Sequence, residues 1–95
     1  MEVQVNDIVR SLKGRDQGEY FVVLCTEGDF LYLANGKNRT LDAMKKKRRK
    51  HAAVLCSAQP YFTEKFNETG KITNSEIRKA LAKFAGEQRI DEGGI

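Results

Sequence analysis

The chain is short of the residues that fix a chemistry by themselves. It holds one histidine, His51, one proline, Pro60, and two cysteines, Cys25 and Cys56. A lone imidazole has no second histidine with which to share a metal or a proton relay. The cysteine spacing matches no zinc or redox motif. Each cysteine lies in an apolar stretch, Val22-Val23-Leu24 before one and Ala52-Ala53-Val54-Leu55 before the other. Both are expected to be buried, reduced thiols acting as small hydrophobes. No apolar run approaches the roughly 20 residues that cross a bilayer, so no membrane partner is expected. Met1 to Val5 shows no basic segment followed by an apolar core, and a cytoplasmic location is the expectation. Catalytic arrangements are missing too: no nucleophile with a base, no paired carboxylates in an apolar setting, no phosphate-cradling glycine motif opening a helix. No enzyme activity, cofactor or metal is expected.

What is present is a small globular composition with its charge in one place. The 95 residues suit a single small domain, 40% hydrophobic and 32% charged. The net charge is +4. Residues 1–44 carry five basic and seven acidic side chains, and residues 52–95 carry six of each. The entire excess therefore lies in Lys45-Lys46-Lys47-Arg48-Arg49-Lys50. A near-neutral domain with one cationic stripe points to a polyanionic partner.

Taken in order, Asn6-Asp7 is a turn before the first strand, and Tyr20 to Thr26 is the most β-prone segment. Between them lies a polar insert with glycine at both ends, Gly14 and Gly18, where positive φ is available without a Cβ penalty. The unbroken apolar character of Tyr20–Thr26 predicts a strand buried on both faces, or one that bends. Gly28-Asp29 turns into Phe30–Ala34, and Asn35-Gly36 predicts a two-residue hairpin turn returning along Lys37–Leu41. The continuation Lys50–Leu55 supplies a fifth strand. Five short strands suggest a closed or half-closed antiparallel barrel over residues 1–56.

Residues 57–95 change character. Pro60 predicts a short helical turn, with Tyr61, Phe62 and Phe66 packing back, and Asn67–Gly70 reads as loop. Thr73 and Glu76 form a capping-box pattern, and Ile77, Ala80, Leu81 and Phe84 make one apolar stripe. A helix of about residues 74–85 is predicted, ending at Gly86, with Asp91–Ile95 as a mobile tail. Linker and helix should pack on the barrel as one domain.

With these elements in hand, the sequence resembles the KOW family of SH3-like β-barrels found in ribosomal proteins and transcription elongation factors. Val9, Leu12, Gly14, Asp16, Gly18, Val22 and Val23 fit its strand–loop–strand motif, with Gly14 at the key glycine. The likeness is strongest to the KOW-containing large-subunit ribosomal proteins of archaea and eukaryotes and to their stand-alone bacterial relatives. It extends over about residues 4 to 85: Gly14-Arg15-Asp16-Gln17-Gly18 is similar to the family loop, Leu33-Ala34-Asn35-Gly36 to its second turn, the run ending at His51 to its basic segment, and Asn74–Leu81 to its terminal helix. The family member most apt for comparison has a proline shortly after the histidine, whereas Pro60 stands nine positions beyond His51. The resemblance implies a mainly β fold, an SH3-like five-stranded barrel with one C-terminal helix. It also implies a non-catalytic RNA-binding protein associated with the large ribosomal subunit.

The expected RNA contacts are Lys13, Arg15, Arg39, Lys45, Lys46, Lys47, Arg48, Arg49, Lys50 and His51, with Gly14, Asp16 and Gly18 as structural motif residues. Cations neutralise phosphates, and arginine offers two parallel hydrogen bonds. Asp16 would repel phosphate and is expected to accept hydrogen bonds from loop amides. His51 among cations should stay neutral. In a strand, Lys46, Arg48 and Lys50 would face one way and Lys45, Lys47 and Arg49 the other. Because one set cannot easily enter a core, the run is expected to begin as an exposed loop. Tyr20, Phe21, Phe30 and Tyr32 could stack on bases, Tyr32 best, although a small core needs most aromatics inside. Ribosomal RNA and ribosomal proteins are the implied partners of a monomer. A protein-interaction module docking on a transcription or assembly partner, a DNA-binding accessory factor, a nuclear import signal and a merely solubilising charge run stand beside that reading.

Overall fold

The computed structural model describes residues 2–93, with side chains as far as residue 88. Five strands, β1 (Asp7–Ser11), β2 (Tyr20–Glu27), β3 (Phe30–Ala34), β4 (Lys45–Arg48) and β5 (Ala52–Ser57), form one antiparallel sheet in the order β4-β3-β2-β1-β5. The two edge strands are consecutive in the chain, joined by a single 3-10 turn, Arg49–His51. Among the described residues β4 and β5 form no ladder with each other, so the sheet is open between them.

The β1–β2 hairpin pairs Ile8 with Val22 and Val9 with Phe21. Its loop closes where Ser11 N donates to the Glu19 carbonyl and Gly18 N to the Ser11 carbonyl, with Gly14 at φ +96° and Gly18 at φ +91°. Successive side chains on a strand point to opposite faces. Both faces here are covered, which is why Phe21-Val22-Val23 is apolar without interruption. On one face Val9, Phe21, Val23, Leu31 and Leu33 pack together inside the curve of the sheet. On the other, Ile8, Val22 and Ala34 pack against Ala58, Phe62 and the C-terminal helix.

That helical segment begins with a 3-10 turn, Gln59–Tyr61, with Pro60 in its first positions as expected. Next comes α1 (Glu64–Thr69), which stops on left-handed Gly70, so Asn67–Thr69 is helical and not loop. The long helix α2 (Asn74–Gly93) buries Ile77, Ala80, Leu81 and Phe84, the predicted stripe. It runs past Gly86, which sits inside the helix, and Gly94 and Ile95 of the expected tail lie outside the described residues. Only half of the capping box forms. Glu76 N donates to Thr73 Oγ1 (3.1 Å), but the Glu76 carboxylate turns away to accept from the Thr63 amide (2.9 Å) and hydroxyl at the start of α1. Those bonds hold Glu76 below the usual carboxylate range. No helix among the described residues is long and apolar enough to cross a membrane.

Three local expectations are corrected. The Lys37–Leu41 return strand is absent, because the Asn35 side chain accepts from the amides of Lys37 (2.9 Å) and Arg39 (3.0 Å) and folds the turn on itself. Asn35 keeps negative φ, which excludes the two-residue mirror-image turn. The fourth strand comes instead from the basic run. Finally, Cys25 is exposed and Cys56 only half-buried, both as free thiols. The β2–β3 register slips between Val23 and Cys25, which turns Cys25 outward. A second slip, opposite Ile8 and Val9, leaves Leu55 exposed on β5. Burial, with Asp7 and Glu87 adding to it, pushes the Cys56 thiol up.

Candidate nucleic-acid interface

Strand β4 is the centre of the site. Its register against β3 sets Lys45 opposite Leu33, Lys46 opposite Tyr32, Lys47 opposite Leu31 and Arg48 opposite Phe30. Leu31 and Leu33 point into the interior cluster, so Lys45 and Lys47 point the same way. The basic run therefore does not begin as an exposed loop, and of Lys45, Lys47 and Arg49 it is Lys47 that enters the fold, with Lys45 half-buried beside it and Arg49 beyond the strand in the 3-10 turn.

Lys47 is only 8% exposed. Its ammonium donates to three acceptors: the Lys13 carbonyl (2.8 Å), Ser11 Oγ (2.9 Å) and Asp16 Oδ1 (3.0 Å). An ammonium has three protons, and each acceptor takes one. The Ser11 hydroxyl in turn donates to Asp16 Oδ1 (2.7 Å). Lys45 Nζ stands 3.3 Å from the other oxygen, Oδ2, as a charge pair without hydrogen-bond alignment. Burial alone would raise the Asp16 pKa. The hydrogen bonds from Ser11 and Lys47, with the Lys47 charge, overcome that and hold it at about 2. Asp16 thus accepts hydrogen bonds inside the fold, but its donors are Ser11 and the basic strand, not the expected loop amides. Nothing in the sequence motif marks Ser11, although its place two residues after inward-facing Val9 puts it on the inner face.

This clamp fixes the hairpin loop against the edge strand. Lys13 and Arg15 are left exposed on the loop, and Leu12 N donates to the His51 carbonyl (2.9 Å), which pins the loop base to the 3-10 corner. Partial burial, followed by the charges of Lys13 and Lys50, holds the His51 imidazole below its ordinary value, which favours the neutral form. Arg15, Arg39 and Lys45 meet around a cleft of about 230 Å³ floored by Asp16 and Phe21, so three expected contacts distant in sequence are neighbours.

The outward set behaves differently. Lys46 Nζ lies 4.4 Å from the centre of the Phe30 ring, and the Arg48 guanidinium carbon 5.0 Å from the same ring. Arg48 also pairs with Asp29 at 3.0 Å, both side chains more than half exposed. Arg49 Nε donates to the Gly28 carbonyl (2.7 Å), which ties it to the β2–β3 turn. Lys50 projects into solvent. Tyr32 donates to Glu27 Oε1 (3.0 Å), a bond that pushes its phenol up, and Tyr20 lies edge-on to Phe84 (5.2 Å). Of the four aromatics named from the sequence, Phe21 is buried and Phe30 and Tyr32 share the cationic face. Among the described residues no group of three or more His, Cys, Asp or Glu side chains is placed to hold a metal ion. No protein-family model matches the chain, and no curated protein matches it.

Proposed function

We propose that the chain is a non-catalytic RNA-binding protein of the half-closed SH3-like KOW type, working on or beside the large ribosomal subunit in the cytoplasm. The observation that carries this reading is the clamp among Asp16, Ser11 and Lys47. It spends one carboxylate and one lysine on holding the loop rigid, and so presents Lys13 and Arg15 in a fixed relation to Lys46, Arg48 and Lys50 on the neighbouring strand and corner. Preorganised cations on rigid elements suit recognition of backbone position and shape, the mode by which structured RNA is read. The strand order supports the fold assignment, since a first strand lying between the second and the last, with two bulges adding curvature, brings the sheet's edges towards each other at the 3-10 corner.

A salt titration with a structured ribosomal RNA fragment tests the reading. Changing Lys13, Arg15, Lys46, Arg48 and Lys50 together to glutamine should cut the slope of log affinity against log salt by about 3.5 to 4.5, at roughly 0.7–0.9 per phosphate contact. The melting temperature should hold. Unchanged affinity would exclude the proposed interface. Equal binding to duplex DNA would favour the accessory-factor alternative, and association with ribosomes that survives high salt would favour a protein partner.

A further inference from the structure

Beside the cationic cleft runs a second depression, about 300 Å³, between α2 and the hairpin. Its walls are Leu81, Ala82 and Ala85 from the helix and the Tyr20 ring from the start of β2. Its rim includes Glu19 and Asn38, and these two residues also line the cleft formed by Arg15, Arg39 and Lys45. The depressions therefore adjoin, the first walled mainly by apolar groups and the second lined by three cations with the carboxylates of Asp16 and Glu19. The walls are firm. Tyr20 is held edge-on against Phe84 (5.2 Å), and Arg78 donates to the Gly36 carbonyl (2.7 Å), which fixes the turn carrying Asn38 to the helix. Gly36 permits that approach: a Cβ there would strike the Asn74 carbonyl and the Arg78 side chain.

Apolar walls, an amide and a carboxylate on the rim, and three cations next door match the parts of one nucleotide. We infer that the groove receives the base of a single unpaired RNA nucleotide, with its phosphate on Arg15, Arg39 and Lys45. The size is at the lower end of the roughly 300–1,000 Å³ of small-ligand sites, suited to one base and too small for a folded partner. Unpaired bases are the part of an RNA that a protein reads by insertion and by contacts to their edges. Asn38 Oδ1 already accepts from Asn35 Nδ2 (2.8 Å), which leaves the Asn38 amino group as donor and Glu19 as acceptor for the base edge. Charge decides the occupant: Arg15, Arg39 and Lys45 outnumber the carboxylates of Asp16 and Glu19 around the cleft, and an apolar peptide would have no use for that net positive mouth. The inference rests on the RNA reading above and narrows it from backbone contact to a specific bulged or looped-out nucleotide.

The test compares the whole protein's affinity for two RNA hairpins whose strands are joined by a polyethylene glycol linker in place of a nucleotide loop, one fully paired and one carrying a single bulged 2-aminopurine. The bulged hairpin should bind about tenfold more tightly, with its fluorescence changed on binding. Ala82→Phe, on the exposed side of α2, should fill the groove and abolish both effects while leaving affinity for the paired hairpin unchanged. Asn38→Asp serves as a second variant and should reduce the preference even if Ala82→Phe fails to fold. Equal affinity of the unaltered protein for both hairpins overturns the inference and leaves the RNA reading standing. A preference that survives Ala82→Phe in a folded variant also overturns it. Loss of self-association in that variant with the RNA preference kept would assign the groove to a second copy of the chain. Binding to neither hairpin overturns both readings.

Discussion

Lys46 and Lys47 are neighbours with the same side chain and opposite work. Lys46 lies over Phe30 on the outside of β4, exposed and available to a phosphate. Lys47 is buried, with each of its protons on an acceptor inside the fold. The difference is set by the strand opposite: Lys47 faces the same way as Leu31, Lys46 the same way as Tyr32. A run of cations is therefore a poor measure of a binding surface until its register is known, because alternation assigns every second residue to the interior.

The largest way to break the contrast is Lys47→Met. It removes the buried partner of Asp16, and an uncompensated buried charge costs about 3 kcal/mol, the low end of the usual range because Lys45 still faces the carboxylate. Urea denaturation should show that loss, and adding Asp16→Leu should recover much of it. Acid gives the next effect. Asp16 is held at about 2 against an ordinary 3.8, so its contribution is fully present above the ordinary value and is lost as pH falls from about 4 towards 2. That amounts to about 2 kcal/mol, and the pH dependence should shrink in Asp16→Asn. Lys46→Gln sharpens the comparison from the other side: stability should stay within about 0.5 kcal/mol, while the RNA salt slope falls by roughly 0.7–0.9. Smallest is Asp29→Asn, which frees Arg48 from an exposed pair worth no more than about 0.5 kcal/mol. Stability should barely move, and RNA affinity should rise by less than about threefold as one carboxylate leaves the face.

Local rules served well where they were not in competition. The glycines of the hairpin loop take the positive φ expected of them, and the Ile77–Phe84 stripe is buried as its spacing predicts. The rules failed where a neighbouring group decided the matter. Asn35-Gly36 promised a tight turn, but the Asn35 side chain captured two amides and lengthened it. Lys45–Arg48 has no alternation to see, since all four residues are cationic, and its strand character comes from pairing with β3. Cys25 read as buried because its neighbours are apolar, and a register slip turned it out. In the site, the charged residues were legible and their division between clamp and surface was not, because that division depends on Ser11 and on contacts across thirty-one and thirty-six positions of chain.

Strand β2 is a party wall. Phe21 and Val23 furnish the room inside the curve of the sheet, and Val22, from the same three residues, furnishes the room behind it. A fragment ending at Ser57 would keep every strand yet leave Ile8, Val22 and Ala34 facing water. Such a fragment would be inclined to aggregate rather than to survive as a smaller version of the whole. The sheet cannot be lent out as a cassette without the helices that roof its far side.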